Sequence, residues 1–462
     1  MNKKLKTQNN SKLSPRIWFN LVLFGFVGQV AWNLENMYYN TFMYNTVYEG
    51  GTVSGSLSSM TAIRLMVALS AVTAVITTFI MGNLSDKMNK RKVFISVGYL
   101  TWGVVTASFG FITKTNIGNL FNITDAGRII TATAVTVIVM DCVMTFVGST
   151  SNDSAFNAWV TDVTTTKNRA TAESVLALLP VVALVVVVIF GGMIDLIGGY
   201  SNFFFIIGGF VILCGVIGLF SLKDSRTGEK KENSNYWKDL IYGFRPSVIK
   251  ENSKLYIALV AMCIYSVAVQ VFFPYLLIYL DHSLGLKIED LISYLTPKVI
   301  VIAAISVVAV VVGLIATGKL IDKVGKKTAV FIAAVLFIVG LLGAGCVHEL
   351  SKFALFAIPL FAGYGLLGIQ LNSTVRDYTP EDKVGLFQGI RMIFFVLIPM
   401  VLGPTVGDAV CKAASQGVYF ENGIENYEPC AEMFLAAGVV AILVLIPLAI
   451  LRKKGIDKKD EA

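Results

Sequence analysis

The sequence predicts an all-α membrane protein with twelve transmembrane helices in two pseudo-symmetric six-helix bundles. Three observations lead to this fold class: an apolar composition, long apolar runs along the whole chain, and two loop patterns that recur in its second half. Of the 462 residues, 55% are hydrophobic and 15% are charged, and the mean hydropathy is +0.71. Soluble domains carry about 25% charged residues, so this chain belongs in a lipid bilayer.

The apolar runs have the length of membrane-spanning helices. A helix that rises about 1.5 Å per residue needs about 20 residues to cross about 30 Å of hydrocarbon. Each run is continuous rather than alternating between apolar and polar residues, which favours helices over the strands of a barrel. We number twelve predicted spans in chain order, over residues 17–44, 57–83, 93–113, 129–158, 170–194, 202–221, 253–280, 293–317, 328–347, 353–375, 385–407 and 431–451.

Positive charges are distributed unevenly between the two sides of the membrane. If the N-terminus is cytoplasmic, the segments on that side hold 30 of the 38 Lys and Arg residues. This pattern predicts that both termini are cytoplasmic, and it explains the net charge of +8 without nucleic acid as a partner. The opposite side holds Lys114, Arg128, Lys287, Lys352 and Lys412, and the spans hold Arg64, Lys298 and Arg391. We expect a monomer in a bacterial plasma membrane.

Two loop sequences recur in the second half of the chain. The loop after span two, "GNLSDKMNKRK" (82–92), matches "GKLIDKVGKK" (318–327) after span eight at an offset of 236 residues. The segment "FNAWVTDVT" (156–164) at the end of span four matches "LNSTVRDYT" (371–379) at the end of span ten. Because both matches keep the same order, the chain is predicted to contain two repeats. The predicted units are an N-terminal bundle (1–221), a cytoplasmic linker (222–252) and a C-terminal bundle (253–462).

The first pair of loops resembles the signature of the major facilitator superfamily. That signature has Gly, three residues, Asp, a basic residue, any residue, Gly and further basic residues, and it lies between helices two and three and again between eight and nine. Asn89 replaces the second Gly of the first copy, and Asn also tolerates a left-handed backbone. The resemblance implies a transporter fold and an inner gate in which the Asp caps a helix and pairs with basic residues. We assign to this cytoplasmic gate Asp86, Lys87, Arg91, Asp162, Asp322, Lys323 and Asp377. A solvated loop that only sets topology is the alternative.

A carboxylate stands among polar residues in span one, in "WNLENMYYN" (32–40). A charge at the centre of a membrane helix costs about 2.5–3.5 kcal/mol on insertion scales, so an ionisable residue in a span predicts a functional site. At 100° per residue, one face of the helix carries Asn33, Glu35, Asn36, Tyr39 and Asn40, and we expect it to face a wet cavity. Arg64 on the neighbouring span two can meet this carboxylate. An ion pair that only fixes helix packing is the alternative.

Other spans carry polar residues that can face the same cavity. In span four, one face is predicted to hold Asp141, Thr145, Gly148, Asn152, Phe156 and Trp159. Gln270 in span seven and Lys298 in span eight stand near the repeat offset from the carboxylate and the arginine of the first half. The resemblance implies that helices one, four, seven and ten line the transport path. Arg391 in span eleven serves either the path or the membrane surface, which its long side chain can reach.

These features favour a secondary transporter that works by alternating access, with a small-molecule substrate and a proton or sodium ion as the coupling ion. Glu35 is the first candidate for coupling and Asp141 the second, because a cation on a carboxylate changes the cost of moving between states. The polar face suits a sugar or glycoside. The layout is similar to that of the glycoside and sugar cation-symporter branch, although "KRKVF" replaces the further Thr and the terminal Arg-Pro of that branch's first loop.

Two other functions compete with sugar symport. Drug and proton antiporters carry a glycine-rich pattern ending in Gly-Pro in span five, where this chain has Pro180 and a later Gly191-Gly192. A "GPTVG" (403–407) stands in span eleven instead, so proton-coupled efflux of drugs or metabolites is the second candidate. A membrane sensor without transport activity is the third.

Motifs for enzymes, metals and ATP hydrolysis are incomplete. The segment "GLIATGKL" (313–320) has the spacing of a phosphate-binding loop, but Leu320 replaces the Ser or Thr that holds magnesium. The two histidines have no metal-ligand spacing, and no nucleophile stands beside a base, so we expect no enzyme activity, no cofactor and no metal. Cys411 and Cys430 bracket the last outer loop, and their pairing is left open.

Overall fold

A computed structural model describes residues 13–48, 57–88, 90–164, 168–223, 244–286, 326–380, 384–414, 419–421 and 424–454. In these ranges, ten helices are long and apolar enough to cross a membrane. The predicted all-α multi-pass fold is thereby confirmed. Predicted span eight (293–317) lies outside the described residues.

Helices occupy the positions of the other predicted spans. In chain order they are Pro15–Val47, Ser59–Met88, Arg91–Phe111, Ala126–Val163, Arg169–Gly191, Tyr200–Ser221, Ser253–Ser283, Lys326–Gly345, Leu350–Tyr378, the continuous helix 384–414, and Glu432–Lys453. Between them lie two short helices, Lys114–Phe121 and Pro246–Glu251. The last outer loop contains an antiparallel ribbon of β1 (Tyr419–Glu421) and β2 (Ile424–Asn426), with Phe420 opposite Glu425.

Local sequence explains where two of the N-terminal spans begin. Ser14 caps span one by accepting a hydrogen bond from the Ile17 amide, and Pro15 occupies the first turn, where its missing N–H costs nothing. Asp125 caps span four by accepting from the Arg128 amide over 2.9 Å. Both caps satisfy backbone donors that a helix cannot pair internally.

Spans one and four contain π-helical turns that the sequence analysis did not anticipate. They cover Leu34–Tyr39 and Met43–Val47 in span one and Ser149–Phe156 in span four. Such a turn closes i to i+5 hydrogen bonds instead of i to i+4, so it rotates every later side chain relative to a regular helix. A helical wheel at 100° per residue therefore gives wrong side-chain directions along these stretches, which carry part of each predicted polar face.

Small residues bring spans three and six into close contact. A Cβ added at Gly103 would lie 2.6 Å from the backbone oxygen of Gly208, and one added at Gly208 would lie 2.5 Å from the Ala107 nitrogen. Close backbone approach at small residues is a main source of helix association in membranes, where the hydrophobic effect between helices is weak.

The N-terminal half contains a buried aromatic cluster. Tyr39 stacks on Phe109 with ring centroids 4.0 Å apart and meets Phe204 edge-on at 5.5 Å. Phe24 and Tyr99 form a second edge-on pair at 4.9 Å. These contacts tie span one to spans three and six, and they hold the π-helical turn that carries Glu35 in place.

Candidate functional site

Glu35 lies in a hydrogen-bonded cluster where spans one, two and four converge. Its side chain is almost fully buried, with 6% of the residue exposed. The hydroxyl of Ser70 in span two lies 2.5 Å from Glu35 Oε1, and the hydroxyl of Thr145 in span four lies 2.9 Å from the same oxygen, both placed to donate. The two hydroxyl oxygens are 2.7 Å apart. A single carboxyl oxygen thus joins three helices.

A second carboxylate lies beside this cluster. Asp141 precedes Thr145 by one helical turn, is 2% exposed, and lies near enough to Glu35 for the two groups to interact electrostatically. Among the described residues, Glu35 Oε2 and Asp141 Oδ1 are buried without a hydrogen-bond partner. Burying a polar oxygen without a partner costs free energy, so binding of a proton or a cation at these two oxygens would be favourable.

A third acidic residue, Asp153, was missed by the sequence analysis. It lies on the π-helical part of span four, where Ser149 donates to its Oδ2 over 2.9 Å, and its charge acts on Glu35. The signal was present in the sequence as an acid inside the polar stretch "STSNDSAF". The regular wheel hid it, because that wheel placed Asn152 rather than Asp153 on the face of Asp141.

The side chains predicted to form the polar face of span one make several different contacts. Tyr39 points into the aromatic cluster, and the amide of Asn40 donates to the backbone oxygen of Asn36 over 2.8 Å. The amide of Asn36 donates to the Trp32 oxygen over 2.7 Å, and that of Asn33 to the Gln29 oxygen over 2.9 Å. The π-helical turn at Leu34–Tyr39 changes the rotation of these side chains about the helix, and a shared wet face stays a prediction.

Asn152, which was predicted to face the cavity, bonds to a side chain of a neighbouring helix. It donates to the Tyr99 hydroxyl over 2.6 Å, and that hydroxyl donates to the Phe24 backbone oxygen over 2.6 Å. Gly28 makes room for this arrangement, since a Cβ there would lie 2.2 Å from Asn152 Nδ2. The buried chain of hydrogen bonds connects spans one, three and four.

Arg64 pairs with Asp408 of span eleven instead of with Glu35. The distance from Arg64 Nε to Asp408 Oδ2 is 3.3 Å, and the side chains are 31% and 8% exposed. Tyr427, in the loop after β2, donates to Asp408 Oδ1 and also bonds to the side chains of Thr61 and Ser58. Sequence analysis missed Asp408 because the predicted span eleven ended at residue 407. We call Arg64, Asp408 and Tyr427 the outer-end latch, after the side of the membrane on which the sequence predicts them to lie.

A second contact joins the two halves at the same end of the molecule. The amide of Asn45, in span one, donates to Asp281 Oδ2 of span seven over 3.5 Å, and its Oδ1 lies 3.0 Å from His282 Nε2. The His282 ring also meets Tyr44 edge-on, with ring centroids 5.0 Å apart. Spans one and two of the first half are therefore fastened to spans seven and eleven of the second at this end.

Two of the predicted gate residues meet each other at the opposite end of the first half. Arg91 Nε lies 3.3 Å from Asp162 Oδ2, and Arg91 also donates to the Ser85 hydroxyl. Asp377 is exposed in the last turn of span ten. The gate assignments that lie outside the described side chains are those of Asp86, Lys87, Asp322 and Lys323, and Lys298 of the predicted path lies outside them as well.

The C-terminal half places two predicted polar residues, Arg391 and Gln270, in separate contacts. Arg391 donates to Asn372 Oδ1 over 2.6 Å and lies over the Phe395 ring, 5.5 Å from its centroid. Gln270 packs against Gly403, where an added Cβ would lie 2.4 Å from the Gln270 Cβ. The "GPTVG" of span eleven is thus a close contact between spans seven and eleven.

The described residues contain no cluster of three or more His, Cys, Asp or Glu side chains with the geometry of a metal site. In the same ranges, all six cysteines are free thiols.

Comparison with known families and proteins gives one consistent class. The family model described as the Major Facilitator Superfamily matches residues 36–404 and 259–461. Multidrug resistance protein 2 of Bacillus subtilis (strain 168) is 23% identical over 391 residues, which cover 82% of this chain and 84% of the relative.

Solved structures agree on the fold. A bacterial homologue of the human lysosomal transporter Spinster, inward-facing and occupied, matches with a TM-score of 0.67 at 13% identity, over 98% of this chain and 100% of the other. The nucleoside transporter NupG matches with a TM-score of 0.63 at 13% identity, over 94% and 98%. At such identities the likeness shows the fold.

Proposed function

Because the chain belongs to the Major Facilitator Superfamily, a family of membrane transporters, we propose that it is a secondary active transporter that couples a small solute to the movement of protons. Glu35 is the coupling group, and Asp141 is its neighbour in the same buried site. The two halves, 1–221 and 253–462, move about this site by alternating access, with 222–252 as the linker between them.

Proton coupling is supported by the number of hydrogen atoms available for the hydrogen bonds around Glu35. Oε1 and the hydroxyl oxygens of Ser70 and Thr145 lie 2.5, 2.7 and 2.9 Å from one another. Each hydroxyl supplies one proton, so two protons serve three contacts while the carboxyl is ionised. A proton on Oε1 supplies the third, and each oxygen then donates once and accepts once. The cluster fits a protonated carboxyl in this conformation.

The same distances favour a proton over a sodium ion. The three oxygen pairs are at the separations of direct hydrogen bonds. An ion among them would hold its oxygen ligands further from one another, because each would have to lie at a metal–oxygen distance from a common centre. Loss of the proton from Glu35 leaves two hydroxyls and two carboxylates to rearrange, which changes the free energy of this conformation relative to others.

The distribution of Lys and Arg supports an orientation. With both termini in the cytoplasm of a bacterial plasma membrane, the outer-end latch faces outwards and the Arg91–Asp162 pair faces inwards. The contacts of Arg64 with Asp408 and of Asn45 with Asp281 then close the outer side. The conformation is one in which a solute exchanges with the cytoplasm, and opening of the latch leads to exchange with the outside.

For the transported solute we propose lipophilic organic cations, exported in exchange for protons. One amide hydrogen of each predicted sugar ligand Asn33, Asn40 and Asn152 is donated within the protein, which leaves fewer donors for a sugar. Buried carboxyl groups near the centre of the N-terminal half attract cations that compete with a proton. The name of the Bacillus subtilis relative, a multidrug resistance protein, supports the same class of solute.

Symport of a sugar or glycoside is the second candidate. It is supported by the half-buried pair of Arg391 and Asn372 in the C-terminal half. A guanidinium beside an amide offers several donors to hydroxyl oxygens, and Phe395 beside it offers a flat apolar surface. The two candidates differ in the direction of proton movement, which gives a direct test.

The test uses the purified full-length protein in liposomes that enclose a pH-sensitive dye, with protein-free liposomes subtracted. Ethidium added outside should make the interior more alkaline, because protons leave as the cation enters. A sugar that is cotransported should make the interior more acidic. Glu35→Gln should abolish either signal, whereas the exposed Glu349→Gln should keep it. An unchanged signal in Glu35→Gln would refute Glu35 as the coupling group, and silence with ethidium and a sugar panel would refute proton coupling for both solutes.

A further inference from the structure

The last outer loop returns to span eleven at two successive levels. At the first level, Tyr427 donates to Asp408. At the second, the thiol of Cys430 lies close enough to that of Cys411 for the two groups to interact. Asp408 and Cys411 are three residues apart and both buried, so they lie on one face of the helix. Tyr427 and Cys430 are also three residues apart, so the hydrogen bond from Tyr427 to Asp408 anchors the loop near the two cysteines.

The chain around Cys430 is held from further sides. Ser283, at the end of span seven, donates to the Pro429 backbone oxygen over 2.6 Å. The Cys430 oxygen accepts from the Met433 amide, which begins the first turn of span twelve. Cys411 is fully buried, whereas Cys430 remains partly exposed. The backbone is thus fixed on both sides of the thiol pair, and one of the two sulfurs is accessible to reagents.

We propose that Cys411 and Cys430 form a disulfide that fastens the last outer loop to span eleven. The proposal uses the orientation proposed above, which places the pair on the outer, oxidising face. The thiolate of Cys430 attacks a small-molecule disulfide and releases one thiol. The thiolate of Cys411 then attacks the Cys430 sulfur and releases the second. Two cysteine thiols and one disulfide become one protein disulfide and two small thiols, so atoms and electrons balance.

The consequence for the transporter follows from where the bond lies. Both cysteines belong to the second half, as do Asp408 and Tyr427, whereas Arg64 belongs to the first. The disulfide keeps Tyr427 beside Asp408, and so preserves the surface on which Arg64 closes, without linking the two halves covalently. The bond stabilises the closed outer latch and still allows it to open.

Thiol counting tests the proposal. Cells that express the full-length protein are quenched in acid, and the denatured protein is alkylated with a maleimide polymer before or after reduction. The wild type should show four reactive thiols before reduction and all six after it, because Cys142, Cys214, Cys263 and Cys346 stay free. Cys430→Ser should show five in both cases. The matched control Cys346→Ser should show three before reduction and five after it.

Treatment of the purified protein with oxidised glutathione separates the site from the orientation. Closure in the purified protein alone, with six free thiols in cells, supports the disulfide site and contradicts the outward orientation. Six reactive thiols in both preparations would overturn the disulfide and leave proton coupling through Glu35 untouched. A loss of two thiols that persists in Cys430→Ser would assign the bond to other cysteines and would also overturn it.

Discussion

Arg64 of span two and Asp408 of span eleven form an ion pair across the two halves of the protein, with Nε 3.3 Å from Oδ2. Asp408 is 8% exposed and Arg64 is 31% exposed, so the pair lies between the buried and the surface cases. Breaking a buried pair costs about 3–5 kcal/mol, and breaking an exposed one costs about 0–1 kcal/mol. We therefore expect about 2 kcal/mol for loss of one partner here.

Exchange of the two charges is the first prediction. Arg64→Asp and Asp408→Arg should each lower the initial rate of solute transport by about thirtyfold, because about 2 kcal/mol corresponds to a factor of about thirty in the population of the closed state. The double variant restores an attractive pair and should recover most of the rate. The measurement is initial transport in liposomes. If the double variant is no better than either single one, the pair does not act as a latch.

The hydroxyl of Tyr427 gives a prediction of pH dependence. Burial raises the pKa of Tyr427 above its usual value, and the hydrogen bond to Asp408 adds to this effect. Since the folded protein holds this proton more tightly than the unfolded chain, the stabilisation is complete below about pH 10, the pKa of an exposed tyrosine, and is lost as the pH rises further.

Tyr427→Phe should therefore lower the free energy of unfolding by about 1 kcal/mol at neutral pH. The difference in melting temperature between the variant and the wild type should shrink above pH 10. Melting curves of the purified protein between pH 7 and pH 11 measure it. A difference that stays constant over this range would contradict the role of the hydroxyl proton.

Most of the spans and the buried carboxyl group of Glu35 could be predicted from the sequence, and the partners of that carboxyl group could not. Length and apolarity decide whether a helix crosses the bilayer, so the spans emerged from composition alone. The ring contacts of Tyr39 with Phe109 and Phe204 could not be predicted, because π-helical turns leave no periodic signal that a wheel at 100° detects. Asp408 was missed because it follows the last residue of a predicted span, where charged residues are common. Its pairing with Arg64 is visible only in the folded protein.

The hydroxyls around Glu35 provide the third prediction. Ser70→Ala removes one member of the three-oxygen cluster and should slow proton-coupled transport by fivefold to tenfold, since a hydrogen bond contributes about 1 kcal/mol. Ser70→Thr keeps a hydroxyl at the same place and is the matched control. The dye-loaded liposomes described above measure both rates. Equal rates for Ala and Thr at this position would show that the hydroxyl does not serve Glu35.

Packing of spans three and six gives a prediction about stability. Gly103→Ala places a Cβ 2.5 Å from the Ile212 backbone nitrogen, where neither helix can yield without shifting, so we expect a loss of about 1–3 kcal/mol in the free energy of unfolding. Gly209→Ala, on the same span six, meets nothing within 4 Å and should leave stability unchanged or slightly raise it. Thermal unfolding in detergent compares them, and equal melting temperatures would contradict the close contact.

The rate of disulfide formation at Cys430 should depend on pH and on Glu432. The hydrogen bond to Cys411 raises the pKa of the Cys430 thiol, and burial and the neighbouring Glu432 raise it further. The attacking species is the thiolate, so at neutral pH only a small fraction of Cys430 reacts, and closure by oxidised glutathione should become roughly tenfold faster per pH unit between pH 7 and pH 9.

Glu432→Gln removes a nearby negative charge and should speed disulfide formation several-fold at pH 7. The exposed Glu349→Gln should leave the rate unchanged. Timed alkylation of the purified protein measures the rate. A pH-independent rate would mean that exposure of the thiols, and not ionisation of Cys430, limits closure. In that case opening of the loop around Tyr427 would precede the chemistry, and Tyr427→Phe, which weakens that loop, should then accelerate closure where Glu432→Gln does not.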